Sequence, residues 1–320
     1  MLHFLNKNLR AQVILLVGLL AWSVFTIFTS MTLCPIEGKT HLFTMLAGVM
    51  VKNALAMKLT AIVLLTVSAI GIVRHFNKQR FDESRTLMPG IFFLALMNFG
   101  HLLDTFNPSF FTIMALSTVM MIFTPGAAPA RMKDNILTFG LIVSTATLVD
   151  FSAFGIVLFL VFIIATNSVS PMKDTIILLS GLVLPYVVAF SVFFLCGGTD
   201  GFISSWRQME FIAPIKAFNT LSPMDYAALA YFMAAVVVFW FRGRNYFENK
   251  LIMLRQAFTG LHLQFVSMAV FMIAGCIPLM PAIAYLTTSV AEYMSVSVIK
   301  KRRRFVYDAV IAILFVLLWL

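Results

Sequence analysis

The sequence predicts an all-α fold, a polytopic bundle of transmembrane helices. Of its 320 residues, 61% are hydrophobic and only 11% are charged, and the mean hydropathy is +0.97. A soluble domain cannot bury so large an apolar fraction. The apolar residues also form continuous runs, without the alternation that is typical of a transmembrane β-barrel. We therefore expect residues 1–320 to form a single integral membrane domain, with no soluble domain.

Eleven apolar runs, each bounded by charged or turn-forming residues, predict eleven membrane spans. They cover residues 11–31, 54–73, 87–103, 109–123, 136–149, 151–165, 176–195, 226–241, 257–274, 279–298 and 306–320. The four runs between 87 and 165 are at or below the roughly 17 residues that a crossing helix needs. The alternative is nine crossings plus one re-entrant hairpin, either 87–123 or 136–165.

The third predicted span contains residues that weaken a helix, namely Pro89, Gly90 and Asn98. Irregular backbone is tolerated at membrane depth only against other protein segments or a water-filled cavity. We therefore expect the 87–165 region to line a cavity, which is where a functional site would lie.

The basic residues predict the orientation of the bundle. With the N-terminus in the cytoplasm, eighteen of the 23 basic residues lie on the cytoplasmic side, and the other five are Lys39, Lys52, Lys58, Arg207 and Lys216. This bias predicts a cytoplasmic N-terminus and an external C-terminus. It also accounts for the net charge of +10, so no nucleic-acid partner is needed.

A basic run follows the tenth predicted span, and two interpretations of it stay open. It consists of Lys300, Lys301, Arg302, Arg303 and Arg304. It either fixes the topology of the last turn or binds lipid phosphates, because each basic residue near an anionic leaflet contributes about 1 kcal/mol of attraction. Membrane lipids are therefore the expected partners.

The longest predicted outer loop, Gly197–Asp225, contains an amphipathic pattern. Phe202, Trp206, Met209 and Ala213 follow one another at helical spacing. This spacing predicts a short helix on the membrane surface, with its apolar side against the lipid. A lid over an outward-facing cavity is the alternative.

Three stretches resemble a family of uncharacterised multi-pass inner-membrane proteins of Bacteroidota. They are Asn107–Phe111, with the sequence NPSFF, and the longer apolar stretches Asp134–Phe162 and Met172–Leu195. The resemblance is best over about residues 85–195 and weak toward both ends. It implies a helical protein of the inner membrane of a two-membrane bacterium, with no established activity. It also implies a more distant likeness to membrane enzymes that act on polyprenyl-linked sugars.

One candidate catalytic group lies on the predicted outer side. His101 and Asp104 stand one turn apart at the end of the third span, and Asp150 lies at the tip of the 136–165 hairpin. Together they could form a general base with its orienting carboxylate, or bind a divalent cation that holds a sugar diphosphate. The simpler interpretation is that Asp104 and Asp150 are helix-end residues. No other metal site or cofactor is indicated.

A second candidate is a polar pair within the predicted spans. His262 and Glu292 lie on adjacent antiparallel spans, about six and seven residues from their cytoplasmic ends, and therefore at similar depth. A buried hydrogen-bonded pair is the structural interpretation, and a proton-relay or ion site is the functional one. We expect the two side chains to lie within hydrogen-bond reach of each other or to be joined by one water.

The sequence leaves three classes of function open for a multi-pass protein of the bacterial inner membrane. The first is action on a polyprenyl-phosphate-linked saccharide in cell-envelope glycan assembly, as a transferase or polymerase. The second is a secondary transporter or lipid flippase, and the third is a non-catalytic assembly factor. No Walker loop, GxSxG elbow or GxGxxG fingerprint is present, so whether the protein is an enzyme stays open at this point.

Overall fold

The computed structural model describes residues 8–33, 40–79, 85–98, 102–123, 129–168, 170–207, 237, 252–273 and 279–299. These residues form eleven α-helices, a 3₁₀ turn at Phe151–Ala153 and two short strands, β1 at Thr32–Leu33 and β2 at Thr105–Phe106. The helices are α1 (Leu9–Ser30), α2 (His41–Lys52), α3 (Ala54–Lys78), α4 (Met88–Asn98), α5 (Ser109–Ile122), α6 (Pro129–Val149), α7 (Phe154–Asn167), α8 (Pro171–Leu195), α9 (Thr199–Arg207), α10 (Ile252–Ile273) and α11 (Leu279–Ile299).

The helical prediction is confirmed for the part of the chain that the structure describes. Nine of the predicted spans coincide at least in part with a helix, and the other two, 226–241 and 306–320, lie outside the described residues apart from residue 237. Helices α1, α3 and α8 are long and apolar enough to cross a membrane, judged by length and composition. Only 17% of the apolar window of α1, and likewise of α8, is buried inside the bundle. These helices therefore present apolar side chains on their outer surface, whereas a helix that faces water presents polar ones.

Two helices form the centre of the fold. Helix α4 is buried at every position from Met88 to Met97, and α11 is buried at every position from Ile283 to Val296. They pack against each other. The buried side chains of α4 are apolar, whereas α11 buries hydroxyl groups and a carboxylate. The polar part of the interior therefore follows α11.

The helices run between two ends of the bundle. At one end, Lys58 near the start of α3 donates a hydrogen bond from Nζ to the backbone oxygen of Phe28, near the end of α1, at 2.6 Å. At the other end, Lys78 donates to the backbone oxygen of Ile122, the last residue of α5, at 3.1 Å. Helix α1 is therefore antiparallel to α3, and α5 is parallel to it. We call these the Asp150 end and the Gln79 end, after residues that lie there.

The segment that precedes α5 runs the length of α1, although its helix is short. Before α4, the backbone N–H of Leu87 donates to Gln12 Oε1 at 2.7 Å. At its other end, Asn98 donates to Ser23 Oγ at 2.6 Å, and the chain then reaches the last turn of α1. The described contacts therefore place α4 parallel to α1 and α5 antiparallel to both.

Two elements were not predicted, and both lie at the Asp150 end. Helix α2 lies where an outer loop was predicted. No span was expected there, because 12 residues are too few to cross the membrane. Thr40 caps it and also donates from Oγ1 to the backbone oxygen of Val149 at 2.7 Å. The strands β1 and β2 pair in parallel through Thr32 and Thr105. Helix α9 overlaps the first part of the predicted surface helix, but Phe202 is only 8% exposed and stacks on Phe193, so it packs against the bundle and does not face lipid.

Candidate functional site

The candidate catalytic group is described only in part. Asp104 Oδ1 accepts a hydrogen bond from Ser30 Oγ at 2.7 Å, and its backbone oxygen accepts from the N–H of Thr32 at 2.8 Å. Asp104 therefore holds the segment before α5 against the end of α1. His101 lies outside the described residues, so its predicted role stays a prediction. Within the described ranges, no group of three His, Cys, Asp or Glu side chains could hold a metal ion.

Asp150 lies in a separate cluster, away from Asp104. Its Oδ2 atom contacts Thr112 Oγ1 at 2.6 Å and the Tyr285 hydroxyl at 2.7 Å. Its Oδ1 atom contacts both the backbone N–H and the hydroxyl of Ser152. Both carboxyl oxygens are thus occupied by protein groups, in a site where Asp150 is only 7% exposed. A carboxylate so enclosed has no oxygen left to act as a general base on a substrate.

Glu292 and His262, which were predicted to form a pair, each have a different partner in the structure. Glu292 Oε1 lies 2.8 Å from Nδ1 of His75, on α3. His262 Nδ1 lies 2.7 Å from the hydroxyl of Tyr293 instead. Successive residues of a helix point about 100° apart, so Glu292 and Tyr293 meet different neighbouring helices. The pairing was expected because the two residues lie at similar depth in the sequence-based topology. Depth does not determine the direction in which a side chain points.

The His75 and Glu292 pair is buried at the Gln79 end of the bundle. The exposed fractions of the two residues are 0% and 2%. Gln79 Nε2 lies 3.2 Å from Nε2 of His75 and donates to the backbone oxygen of Phe123 at 3.1 Å. Because an amide nitrogen only donates, Nε2 of His75 is the acceptor in this arrangement, and Nδ1–H donates to Glu292. These contacts fit an imidazole that accepts at Nε2 and donates at Nδ1.

Of the four carboxyl oxygens of Asp150 and Glu292, one differs from the other three in its hydrogen bonding. Within the part of the chain that the structure describes, Oε2 of Glu292 is buried and has no hydrogen-bond partner. Buried polar atoms are satisfied in the great majority of cases, and each exception calls for an explanation. A proton can bind at Oε2 while the hydrogen bond from Nδ1–H to Oε1 stays in place.

His75 was missed because the second predicted span stopped at residue 73, before Arg74. Helix α3 continues to Lys78 and is capped by Gln79. The buried positions Leu65, Ser68, Ile72 and His75 follow one another at spacings of three and four residues. That periodicity, continued past the first charged residue, is the signal that could have placed His75 in the interior.

Both buried sites use the same helix. Tyr285 and Glu292 lie seven residues apart on α11, which is two turns or roughly 10 Å. Ser289, only 1% exposed, lies between them on the same side. The basic run Lys300, Lys301, Arg302, Arg303 and Arg304, which follows α11 in the sequence, lies outside the described residues.

Comparisons with protein-family profiles, curated proteins and solved structures find no match to this chain.

Proposed function

We propose that this chain is a multi-pass protein of a bacterial inner membrane and acts as a proton-coupled secondary transporter. The observation that carries the proposal is the buried carboxyl group of Glu292. One of its oxygens is hydrogen-bonded to His75, and the other has no partner among the described residues. In this proposal Oε2 of Glu292 binds and releases the coupling proton.

The energetics of burial support this role over a purely structural one. Ionisable groups within membrane spans are expensive and are functional candidates by default. If Glu292 only held helices together, we would expect both of its carboxyl oxygens to be hydrogen-bonded, because an unsatisfied buried acceptor costs about 1–3 kcal/mol. Binding a proton at Oε2 removes the negative charge and lowers the cost of burial.

The membrane assignment rests on the surface of the bundle as well as on its composition. Helix α8 exposes the apolar side chains of Ile176, Val183, Val187 and Phe194 by 63%, 55%, 56% and 67%. An apolar belt of this kind belongs in lipid. The basic residues support a cytoplasmic N-terminus, an external C-terminus and eleven crossings, and the resemblance to Bacteroidota inner-membrane proteins agrees with that location.

Asn98 on α4 supports transport in particular. Its Oδ1 atom is buried without a partner among the described residues. Helix α4 packs against the polar helix α11. A buried polar atom that lacks a partner in this part of the bundle is a group that a substrate crossing the bundle would contact.

The polyprenyl-saccharide function has less support. Asp150 has both oxygens occupied, and Asp104 is bonded to Ser30. The group would depend on His101 and on a rearrangement of Asp150. The role of an assembly factor is separated from transport by the experiment below.

The test is complementation of a strain that lacks the gene. Glu292→Gln keeps an acceptor for His75 Nδ1–H but cannot bind a proton. Asp200→Asn, at an exposed position on α9, is the matched acid-to-amide control. We expect the deletion strain to accumulate a solute on one side of the membrane, Glu292→Gln to reproduce that accumulation at wild-type protein level, and Asp200→Asn to restore transport.

Two results would contradict the proposal. Full restoration by Glu292→Gln would mean that the pair is structural and would favour the assembly factor. Accumulation of a lipid-linked saccharide, with no untransported solute, would favour the glycan enzyme.

A further inference from the structure

Four buried side chains meet at the Asp150 end of the bundle. Asp150 follows α6, Ser152 lies in the 3₁₀ turn, Thr112 lies near the start of α5, and Tyr285 lies on α11. Their exposed fractions are 7%, 5%, 0% and 0%. The contacts between their oxygen atoms determine how many hydrogens the cluster must contain.

Three of the contacts close a ring. Ser152 Oγ contacts Asp150 Oδ1 and lies 2.6 Å from the hydroxyl oxygen of Tyr285. That hydroxyl oxygen lies 2.7 Å from Asp150 Oδ2. Oxygen atoms this close are hydrogen-bonded, with one hydrogen in each contact. The hydroxyl groups of Ser152 and Tyr285 supply two hydrogens, so the third contact needs another.

The remaining donors cannot supply the missing hydrogen. Thr112 Oγ1 donates to Asp150 Oδ2 at 2.6 Å and is also hydrogen-bonded to the Tyr285 hydroxyl, in both cases from outside the ring. The backbone N–H of Ser152 approaches Oδ1 from outside it at 3.2 Å. With an ionised Asp150, both hydroxyls would donate to the carboxylate. The Ser152 and Tyr285 oxygens would then face each other with lone pairs only, in a buried site that screens repulsion poorly.

We propose that Asp150 carries a proton in this conformation and that Asp150, Ser152, Tyr285 and Thr112 form a second proton-binding site. The carboxyl O–H donates to one neighbouring hydroxyl, that hydroxyl donates to the other, and the last donates to the second carboxyl oxygen. Reversing the three hydrogen bonds moves the carboxyl hydrogen from Oδ1 to Oδ2 with no change in charge. The cluster is neutral, as a site inside an apolar bundle should be.

The described side chains that are hydrogen-bonded to Asp150 carry no positive charge. Tyr285 is the titratable group that faces it from α11, and Thr112 on α5 and Ser152 are neutral. From α2, Thr40 bonds to the backbone oxygen of Val149. Among the described residues, no Lys, Arg or His side chain is hydrogen-bonded to Asp150.

The protonation of Asp150 stands on its own contacts, whereas its part in transport rests on the proposed function. Glu292 lies two turns from Tyr285 along α11, toward the Gln79 end. Helix α11 thus carries one member of each site, two turns or roughly 10 Å apart. A shift of α11 would change the contacts of both sites together.

The infrared spectrum of the full chain in lipid nanodiscs at neutral pH tests the protonation. We expect a C=O band from a protonated carboxyl group that Asp150→Asn removes. The control Asp200→Asn, at an exposed position, should leave the band unchanged. Tyr285→Phe keeps the carboxyl group but opens the ring, so the band should stay and shift in frequency. This second variant keeps the test decisive if Asp150→Asn does not fold.

The inference is overturned if Asp150→Asn removes intensity from the carboxylate bands and leaves the C=O band intact, or if Tyr285→Phe leaves that band unshifted. Loss of the band in Asp150→Asn together with normal transport by Glu292→Gln would retain this inference and reject the proposed function. An intact band together with failed transport by Glu292→Gln would do the reverse.

Discussion

Asp150 and Glu292 are buried to a similar degree, yet their hydrogen bonding is opposite. Asp150 contacts four polar groups through its two oxygens. Glu292 has a single contact, with His75, and its other oxygen has no partner in the described part of the chain. Their exposed fractions of 7% and 2% would not separate them. The comparison teaches that hydrogen-bond satisfaction, rather than burial, separates a site that holds a proton from one that exchanges it.

The difference follows from where each residue lies in the chain. Asp150 stands at the break between α6 and the 3₁₀ turn, where the N–H of Ser152 has no helical partner and can bond to a side chain. Glu292 lies within α11, where neighbouring N–H groups are used by the helix. Its partners must come from other helices, and His75 on α3 supplies one. A second partner for Oε2 would have to be a proton, a water or a substrate.

The largest expected effect comes from removing one member of the exchanging pair. His75→Ala leaves the Glu292 carboxyl group buried without its partner, so we expect a loss of about 3–5 kcal/mol of unfolding free energy. The double variant His75→Ala with Glu292→Leu should recover most of that loss, because it removes the orphaned carboxyl group. Unfolding in mixed micelles measures both values. Additive losses in the double variant would show that the two side chains are not coupled.

A smaller effect is expected from the two tyrosine hydroxyls on α11, and it should differ between them. Tyr285→Phe removes a member of the closed ring, so Ser152 and Asp150 each lose a partner, and we expect a loss of about 1–3 kcal/mol. Tyr293→Phe removes one hydrogen bond of the half-buried His262, and we expect a loss of about 1 kcal/mol or less. Thermal unfolding of the two variants compares them directly. Equal losses would argue against a closed ring at Asp150.

Hydropathy was sufficient to place the helices, because a continuous apolar run predicts a membrane helix from length and composition alone. Helices α1, α5 and α11 begin and end within about two residues of their predicted positions. Helix α2 was missed because it lies across the Asp150 end, with Thr40 at Val149. A segment that does not cross the bundle needs no run of spanning length.

The candidate sites were harder to predict, because they depend on the rotation of each helix about its axis. Depth alone placed His262 beside Glu292, but the rotation of α11 turns Glu292 toward His75 and Tyr293 toward His262. Asp150 was identified as a helix-end residue, whereas Thr112 and Tyr285, its partners from distant parts of the chain, were not. A sequence pattern does not predict which hydroxyl groups from distant parts of the chain contact a carboxyl group.

The central claim is that Glu292 exchanges its proton while Asp150 keeps its own. The most direct measurement is the infrared difference spectrum of the full chain between a mildly alkaline and a mildly acidic pH. Lowering the pH should increase a carboxyl C=O band in the wild type and in Asp150→Asn, and this increase should be absent in Glu292→Gln. An increase that persists in Glu292→Gln, or that disappears in Asp150→Asn, would contradict the account.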